Sequence, residues 1–369
     1  MLNFVKMPMR GADHSHARAG MPTRTNQPDI TKKMKKTLRI LTFAAALATA
    51  AACGNNAADT AASDTTPSLP AMHYADSTRN GLKISKDPHV IRFKDRYLMY
   101  YSMAPAKGQG WTVGIAESRN LTDWSPVAIM SPAGEYESKG FCAPCALVRG
   151  DTVHLFYQTY GNNEKDAICH AWSTDGINFE RDASNPIFAP EPAAWTCGRA
   201  IDAEVALVGD RYLMYYATRT TDYKRQIIGV AEAPADTDFS RDEWRQVGDG
   251  PVLEPKYPWE ETCTEGASIV EHDGKYYMFY AGAYNNRPQQ VGVAVSDDGI
   301  RWTKMSNKPF LANGDPGTWN SSESGHPHIF KDTDGRTYLF YQGNDDNGKT
   351  WYLSNVEVVW RDGRPVIKQ

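Results

Sequence analysis

From about residue 85 onward the chain alternates short apolar runs with two- to four-residue polar turns, and no stretch holds a helical period. The first full example is Lys86-Asp87-Pro88-His89-Val90-Ile91-Arg92-Phe93, a break, then Arg96-Tyr97-Leu98-Met99-Tyr100-Tyr101-Ser102. Runs of four to six Val, Ile, Tyr and Phe residues around Asp-Gly or Gly-Asp turns predict antiparallel hairpins. The same pattern returns four times, as CAPCALVRGDTVHLFYQT, IDAEVALVGDRYLMYYAT, TEGASIVEHDGKYYMFYAG and SGHPHIFKDTDGRTYLFYQG. Aligned on the Tyr-rich tail, the position of Asp87 is taken by Ala143, Asp202, Glu265 and His326, at steps of 56, 59, 63 and 61 residues.

A second hairpin follows in the units, visible in VGIAESRNLTDWSPV, ICHAWSTDGINFERD and VGVAVSDDGIRWTKM. Five units of four strands predict an all-β fold, a five-bladed β-propeller with four antiparallel strands per blade. The innermost strand of every blade points at one axis. Residues at one repeat position, some 60 apart in sequence, then converge in space.

The 369 residues would allow two domains by length, but roughly 290 residues of continuous repetition favour one, expected over 73–369. Net charge is −4, and Lys and Arg are scattered, so neither nucleic acid nor an anionic membrane is an expected partner. Aromatics make up 11% of the chain, and most of the tyrosines fall in predicted strands, which leaves loop tryptophans as the informative ones.

Lys32-Lys33-Met34-Lys35-Lys36 followed by the Ala-rich run Leu38 to Ala52 has the charge and length of a secretory signal peptide, too short to span a bilayer. Met34 is the expected start, and 1–33 a misassigned or disordered extension. Ala50-Ala51-Ala52-Cys53 resembles a bacterial lipoprotein box, with Ala50 where Leu is usual, so residues 34–53 read as leader and box with Cys53 as the lipidation site. Residues 54–72 are Ala, Asp, Thr, Ser and Pro-rich, a flexible tether. The expected location is outside the cytoplasm, periplasmic or on the outer membrane, with membrane contact through the lipid alone. Cys142, Cys145, Cys169, Cys197 and Cys263 remain, an odd number without paired metal-ligand spacing, and buried packing or one disulfide near the axial mouth is expected.

Three carboxylates stand at the repeat position, Asp87, Asp202 and Glu265. Glycosidic hydrolysis needs a proton donor for the leaving oxygen and a carboxylate across the sugar ring, and a third acid nearby raises the donor's pKa. Each acid alone reads equally well as a strand-start residue bonding loop amides; as a set they suggest a site. The ordered motifs Asp87-Pro88, Ala143-Pro144, Ile201-Asp202, Glu265-Gly266 and Gly325-His326 resemble glycoside hydrolase family 43 and its clan of five-bladed propellers, over roughly Asp87 to Tyr341. The resemblance implies an inverting glycosidase with Asp87 as general base, Glu265 as general acid and Asp202 as pKa modulator. It implies no required cofactor, and leaves open a structural calcium held through water by His326. It also implies an oligosaccharide or polysaccharide partner of plant or algal type, with arabinofuranosidase, xylosidase and galactosidase activities open.

Two departures bear on the pocket. The family's Trp-Ala-Pro-Asp in blade two is here Cys142-Ala143-Pro144-Cys145, and Gly266 is followed by Ala267 rather than standing in Gly-Pro. Loop residues Trp111, Trp195, Trp259 and Trp319 offer flat faces for a sugar, Trp195 and Trp259 first by their nearness to the acids. Arg199 reaches either a substrate hydroxyl or carboxylate, or a structural partner in Asp202 or Glu204, and His326 lies beside the substrate. Two other readings stay open: a clan-related enzyme of neoagarobiose-hydrolase type with His326 as acid, and a carbohydrate-binding propeller without catalysis.

Overall fold

Residues 70–368 are described by the computed structural model, so the extension, leader, Cys53 and most of the tether lie outside the described residues. Twenty strands among them form five separate four-stranded antiparallel sheets, each in sequence order, with no α-helix. Blade one is β1 (Ser85–Phe93), β2 (Arg96–Met103), β3 (Thr112–Ser118) and β4 (Ser125–Ile129). Blade two is β5 (Phe141–Arg149), β6 (Thr152–Thr159), β7 (Ile168–Ser173) and β8 (Glu180–Arg181). Blade three is β9 (Ile201–Val208), β10 (Arg211–Arg219), β11 (Gln226–Pro234) and β12 (Arg245–Gln246). Blade four is β13 (Thr264–His272), β14 (Lys275–Gly282), β15 (Gln290–Ser296) and β16 (Thr303–Lys304). Blade five is β17 (Glu323–Lys331), β18 (Thr337–Asn344), β19 (Tyr352–Arg361) and β20 (Arg364–Ile367). Each first strand packs on the first strand of the next blade, and β17 packs on β1, so the five inner strands close around one axis. The protein is a five-bladed β-propeller.

The tight inner hairpins follow from their turn residues. Lys94, Gly150, Gly209, Asp273 and Gly274 take positive φ, which the right-handed twist of the flanking strands demands of a two-residue turn. Five apolar clusters hold the ring together, one in each seam between neighbouring blades. Their centres are the middle-strand aromatics, Tyr100, Tyr101, Phe156, Tyr157, Tyr215, Tyr216 and Tyr280 among them, all fully buried. Each such side chain contributes on the order of 1.5–3 kcal/mol by burial. Tyrosine hydroxyls also peg one blade to the next: Tyr100 donates to Gly176 O and Tyr215 to Gly299 O, both at 2.8 Å. Those glycines sit in Ser-x-Asp-Gly turns, where an added Cβ would lie 2.4 Å from Leu98 or 2.9 Å from Tyr215.

Closure relies on the segment before β1. Tyr74 exchanges both backbone hydrogen bonds with Leu353, and Ser85 N bonds Trp351 O, tying the chain ahead of blade one to blade five. Met72, 1% exposed, fills the seam between them.

Candidate active site

Every inner strand breaks its ladder at the same place. The irregularities fall at Asp87-Pro88, Ala143-Pro144, Asp202-Ala203, Gly266-Ala267 and His326-Pro327. The first residue of each pair has positive φ, from 42° to 56°. For residues with a Cβ this costs of order 1–3 kcal/mol, so the surroundings must hold it in place. They do so through a polar residue near the end of the preceding blade's Tyr-rich strand. The N–H of Asp87 donates to Gln342 Oε1 at 2.9 Å, that of Ala143 to Ser102 Oγ at 2.8 Å and that of Asp202 to Gln158 Oε1 at 2.6 Å. Each bulge kinks the strand at the axis and re-aims the side chain that follows from it.

The equivalence drawn from sequence is thereby corrected in blade four. The strained position there is Gly266, and Glu265 pairs with Ala281 as Lys86 pairs with Ser102, one residue earlier. Glycine suits the position: a Cβ on Gly266 would lie 3.1 Å from His326 Nδ1 at a φ of +56°. Glu265 still enters the same cavity, from the opposite pleat position to Asp87 and Asp202.

That cavity, about 280 Å³, is bordered by Asp87, Asp202, Glu265 and His326 at its base and by Lys86, Trp111, Tyr160, Arg199, Arg219 and Tyr284 around its sides. His326 lies between two of the acids, with Nδ1 3.1 Å from Asp87 Oδ1 and Nε2 3.3 Å from Glu265 Oε1. Asp202 and Glu265 offer oxygens within 4.8 Å of each other and of a His326 nitrogen. Asp87 and Glu265 are thus separated by an imidazole and two contacts, under about 9 Å, within reach of the roughly 6.5–9.5 Å that inversion uses. Glu265 is the most tightly bound of the three: Gln289 Nε2 donates to Oε1 at 2.7 Å, and Gln226 Nε2 donates to Oε2.

Burial opposes every charge here, and neighbours decide the outcome. For His326 the carboxylates of Asp87, Glu265 and Asp202 overcome burial and push the imidazole up to about 10. For Asp87, His326 and Lys86 outweigh burial and hold the carboxyl below its usual range. Asp202 makes no ion pair among the described residues, and burial, with Glu265 and Asp87 nearby, outweighs the pull of His326 and Arg199 and pushes it up to about 7. Glu265 is drawn down against burial by His326, Lys86 and Gln289. The proton of this acid group therefore sits on Asp202, with Glu265 and Asp87 held ionised beside it.

A calcium ion does not suit this donor set. Calcium takes six to eight oxygens, whereas both His326 nitrogens face carboxylates, which leaves no lone pair for a metal or for a metal-bound water. Below the cavity a second tier repeats two residues further along each strand: His89, Cys145, Glu204, Ser268 and His328. Glu204 accepts from Ile269 N at 2.9 Å and Ser268 Oγ at 3.1 Å and contacts His89 Nε2 at 3.2 Å and Cys145 Sγ at 3.4 Å. Its lone pairs are filled, and the tier forms a hydrogen-bonded floor.

Of the tryptophans, Trp111 lines the cavity, its ring 5.8 Å from Lys86 Nζ. Trp195, Trp259 and Trp319 do not border it. Trp195 packs on the core between blades two and three, and Trp259 and Trp319 fill space that glycines leave, with Cβ positions of Gly282 and Gly343 2.3 and 2.7 Å from their rings. Arg199 lines the cavity and pairs with Asp166 at 3.3 Å rather than with Asp202 or Glu204. All five described cysteines are free thiols: Cys142 borders the cavity, Cys145 belongs to the floor, and Cys263 lies against Glu265. Sequence reasoning missed Lys86, Gln158, Tyr160, Arg219, Gln226, Tyr284 and Asn285. Gln158 was readable from the shared Tyr-Gln of blades two and five; the others carry no repeat signal.

Five blades around an axial well lined by acids define a propeller of the glycoside hydrolase type. The chain belongs to glycosyl hydrolases family 43, whose family model matches residues 82–365. It is 34% identical over 98 residues to a β-xylosidase of Xylanibacter ruminicola, covering 27% of this chain and 28% of that enzyme. It is 27% identical over 261 residues to a 1,2-β-oligomannan phosphorylase of Thermoanaerobacter sp. (strain X514), covering 68% and 79%. The match to a β-1,2-mannobiose phosphorylase of the same organism spans 40% of that protein, so the chain covers under half of two of its curated relatives. Among solved structures, a thermostable family-43 glycoside hydrolase superposes with TM-score 0.63 at 24% identity, covering 77% of this chain and 93% of that one. An endo-1,4-β-xylanase from Bacteroides thetaiotaomicron gives TM-score 0.63 at 23% identity, covering 78% and 95%. These structural likenesses carry the fold.

Proposed function

We propose that the protein hydrolyses O-glycosidic bonds with inversion at the anomeric carbon. The observation that carries this reading is the meeting of Asp87, Asp202 and Glu265, from blades one, three and four, in one cavity around His326. Asp87, kept ionised, takes a proton from water as its oxygen attacks the anomeric carbon. Glu265 gives a proton to the departing glycosidic oxygen. Asp202, which holds the proton at rest, is its reservoir, and His326 acts as a fixed imidazolium that keeps Asp87 ionised. No metal enters the scheme. The family and its xylosidase and xylanase relatives favour a plant-type glycan, with xylosidase, arabinofuranosidase and galactosidase activities as the substrates to screen. Hydrolysis of an aryl-glycoside panel tests it: one member should be cleaved, and Glu265→Gln and Asp87→Asn should each lower kcat at least 10³-fold. Cleavage that survives Asp87→Asn would overturn the assignment.

One observation favours a second reading of the acid. His326 touches both outer acids and keeps its proton past neutrality, so it is itself a proton source. His326→Gln with Glu265 intact separates the two: loss of activity that a good leaving group restores marks His326 as the acid, and loss indifferent to leaving group marks it as the imidazolium support. Export and anchoring through Cys53 are proposed from the leader pattern. Incorporation of labelled palmitate, lost in Cys53→Ser, would support the anchor, and its absence in the unaltered chain would refute it.

A further inference from the structure

The charges of the cavity are unevenly matched around its wall. On the side of blades one and five, Lys86 and His326 stand among Asp87, Glu265 and Glu323, and opposite charges balance. On the blade-three side two guanidinium groups border the cavity, Arg199 just ahead of β9 and Arg219 at the end of β10. Both act on the hydroxyl of Tyr284, which faces them from blade four. Arg199 borders the cavity, donates through Nη2 to Asp166 and is only 14% exposed along its side chain. Arg219 donates its Nε to Gln226 Oε1 at 3.3 Å and lies 5.6 Å from the centre of the Tyr284 ring. Among the described residues it pairs with no carboxylate, and burial raises Asp202, the acid of this blade that borders the cavity, to about 7.

A guanidinium that lines a cavity without a carboxylate partner is a charge an anionic ligand would complete through charge-assisted hydrogen bonds. Sugar hydroxyls would satisfy the donors but not the surplus charge. A planar oxyanion satisfies both, because the fixed fork of a guanidinium matches two oxygens at once.

We propose that Arg199 and Arg219 form an oxyanion seat in the blade-three wall of the cavity, shaped for the carboxylate of a hexuronic-acid residue. The substrate is then an acidic glycan, with its carboxylate toward blade three and its anomeric carbon over Asp87 and Glu265. Inorganic phosphate presents the same oxygens and is the other source of such an anion. The inference rests on the cavity's being a sugar site, but not on the roles given to the acids.

Isothermal calorimetry on the whole protein with free monosaccharides, which have no glycosidic bond to cleave, tests the seat independently of hydrolysis. D-galacturonate and D-glucuronate are compared with D-galactose, D-glucose and inorganic phosphate at fixed ionic strength. At least one uronate should bind tenfold or more tighter than its neutral parent, and Arg219→Gln should cut that preference to below twofold. Arg219→Lys, which keeps the charge and loses the fork, should retain only part of it, and serves if the Gln variant melts early. Tighter binding of phosphate than of either uronate, also lost in Arg219→Gln, would keep the seat and assign it to phosphate. Uronates and phosphate binding no better than neutral sugars, or an unchanged preference in both Arg219 variants, would overturn the proposal. Failure of the glycosidase panel with an intact uronate preference would count against the hydrolytic reading alone.

Discussion

Asp202→Asn isolates the energetic cost of burying a third carboxyl at the axis beside Asp87 and Glu265. The carboxyl moves from an ordinary 3.8 to about 7 in the folded protein, chiefly through burial. Its folded pKa is raised, so the native state binds more protons than the unfolded chain between these values, and its stabilising contribution is present below about 3.8 and lost as pH rises through about 7. At 1.36 kcal/mol per unit, the wild type loses on the order of 2–3 kcal/mol between pH 5 and pH 8 through this group. Asparagine does not titrate, so the variant should gain that amount relative to wild type over the same interval. With about 2.1 cal/mol/K of unfolding entropy per residue, a domain of roughly 300 residues should show a relative rise in Tm of about 4 °C. The assay is thermal unfolding of both proteins at pH 5.0, 6.5 and 8.0, read as the difference in Tm. Any fixed cost of the amide cancels in that difference. A Tm gap independent of pH, or one that moves against the variant as pH rises, would refute the picture of a desolvated, proton-holding Asp202.

Other consequences follow from the same geometry. Gly266→Ala places a Cβ 3.1 Å from His326 Nδ1 at a φ of +56°, so it should destabilise by about 1–2 kcal/mol and displace the imidazole, with kcat falling more than tenfold. Gln158→Ala and Gln342→Ala strand the N–H groups of Asp202 and Asp87, at about 1–3 kcal/mol each in denaturant melts. Trp259→Ala should cost about 3–5 kcal/mol of stability with little change in KM, whereas Trp111→Ala should raise KM several-fold and leave the melting curve nearly unmoved. In a pH–rate profile the basic limb should fall near about 7, where Asp202 loses its proton, and the acid limb should lie below the usual carboxylate range, where Asp87 protonates.

The blades were legible because each is a hairpin whose turn, strand and aromatic tail recur at nearly constant spacing, a signal carried by short-range chemistry. The bulge was less so. Gly266 stands ten residues before Tyr276, as Asp87 stands ten before Tyr97, and this count marks Gly266 as the strained position; the acid next to it drew the alignment one residue off. Tryptophan roles failed for another reason. Nearness in sequence to an acid says nothing about which side of a loop faces the axis, while glycines at 282, 292 and 343, inside strands, mark where a large ring must lie. Arg219 and Tyr284 sit at strand ends whose neighbours across the cavity are set only by ring closure, so no local pattern exposes them.

In the proposed mechanism, water activated by Asp87 attacks opposite the bond that Glu265 protonates. Proton NMR of the first product released from a cleaved aryl glycoside reads this directly. Inversion predicts that the anomeric signal appearing first has the configuration opposite to the substrate's. A first product of the same configuration would mean a covalent glycosyl-enzyme in place of that water, and would contradict it.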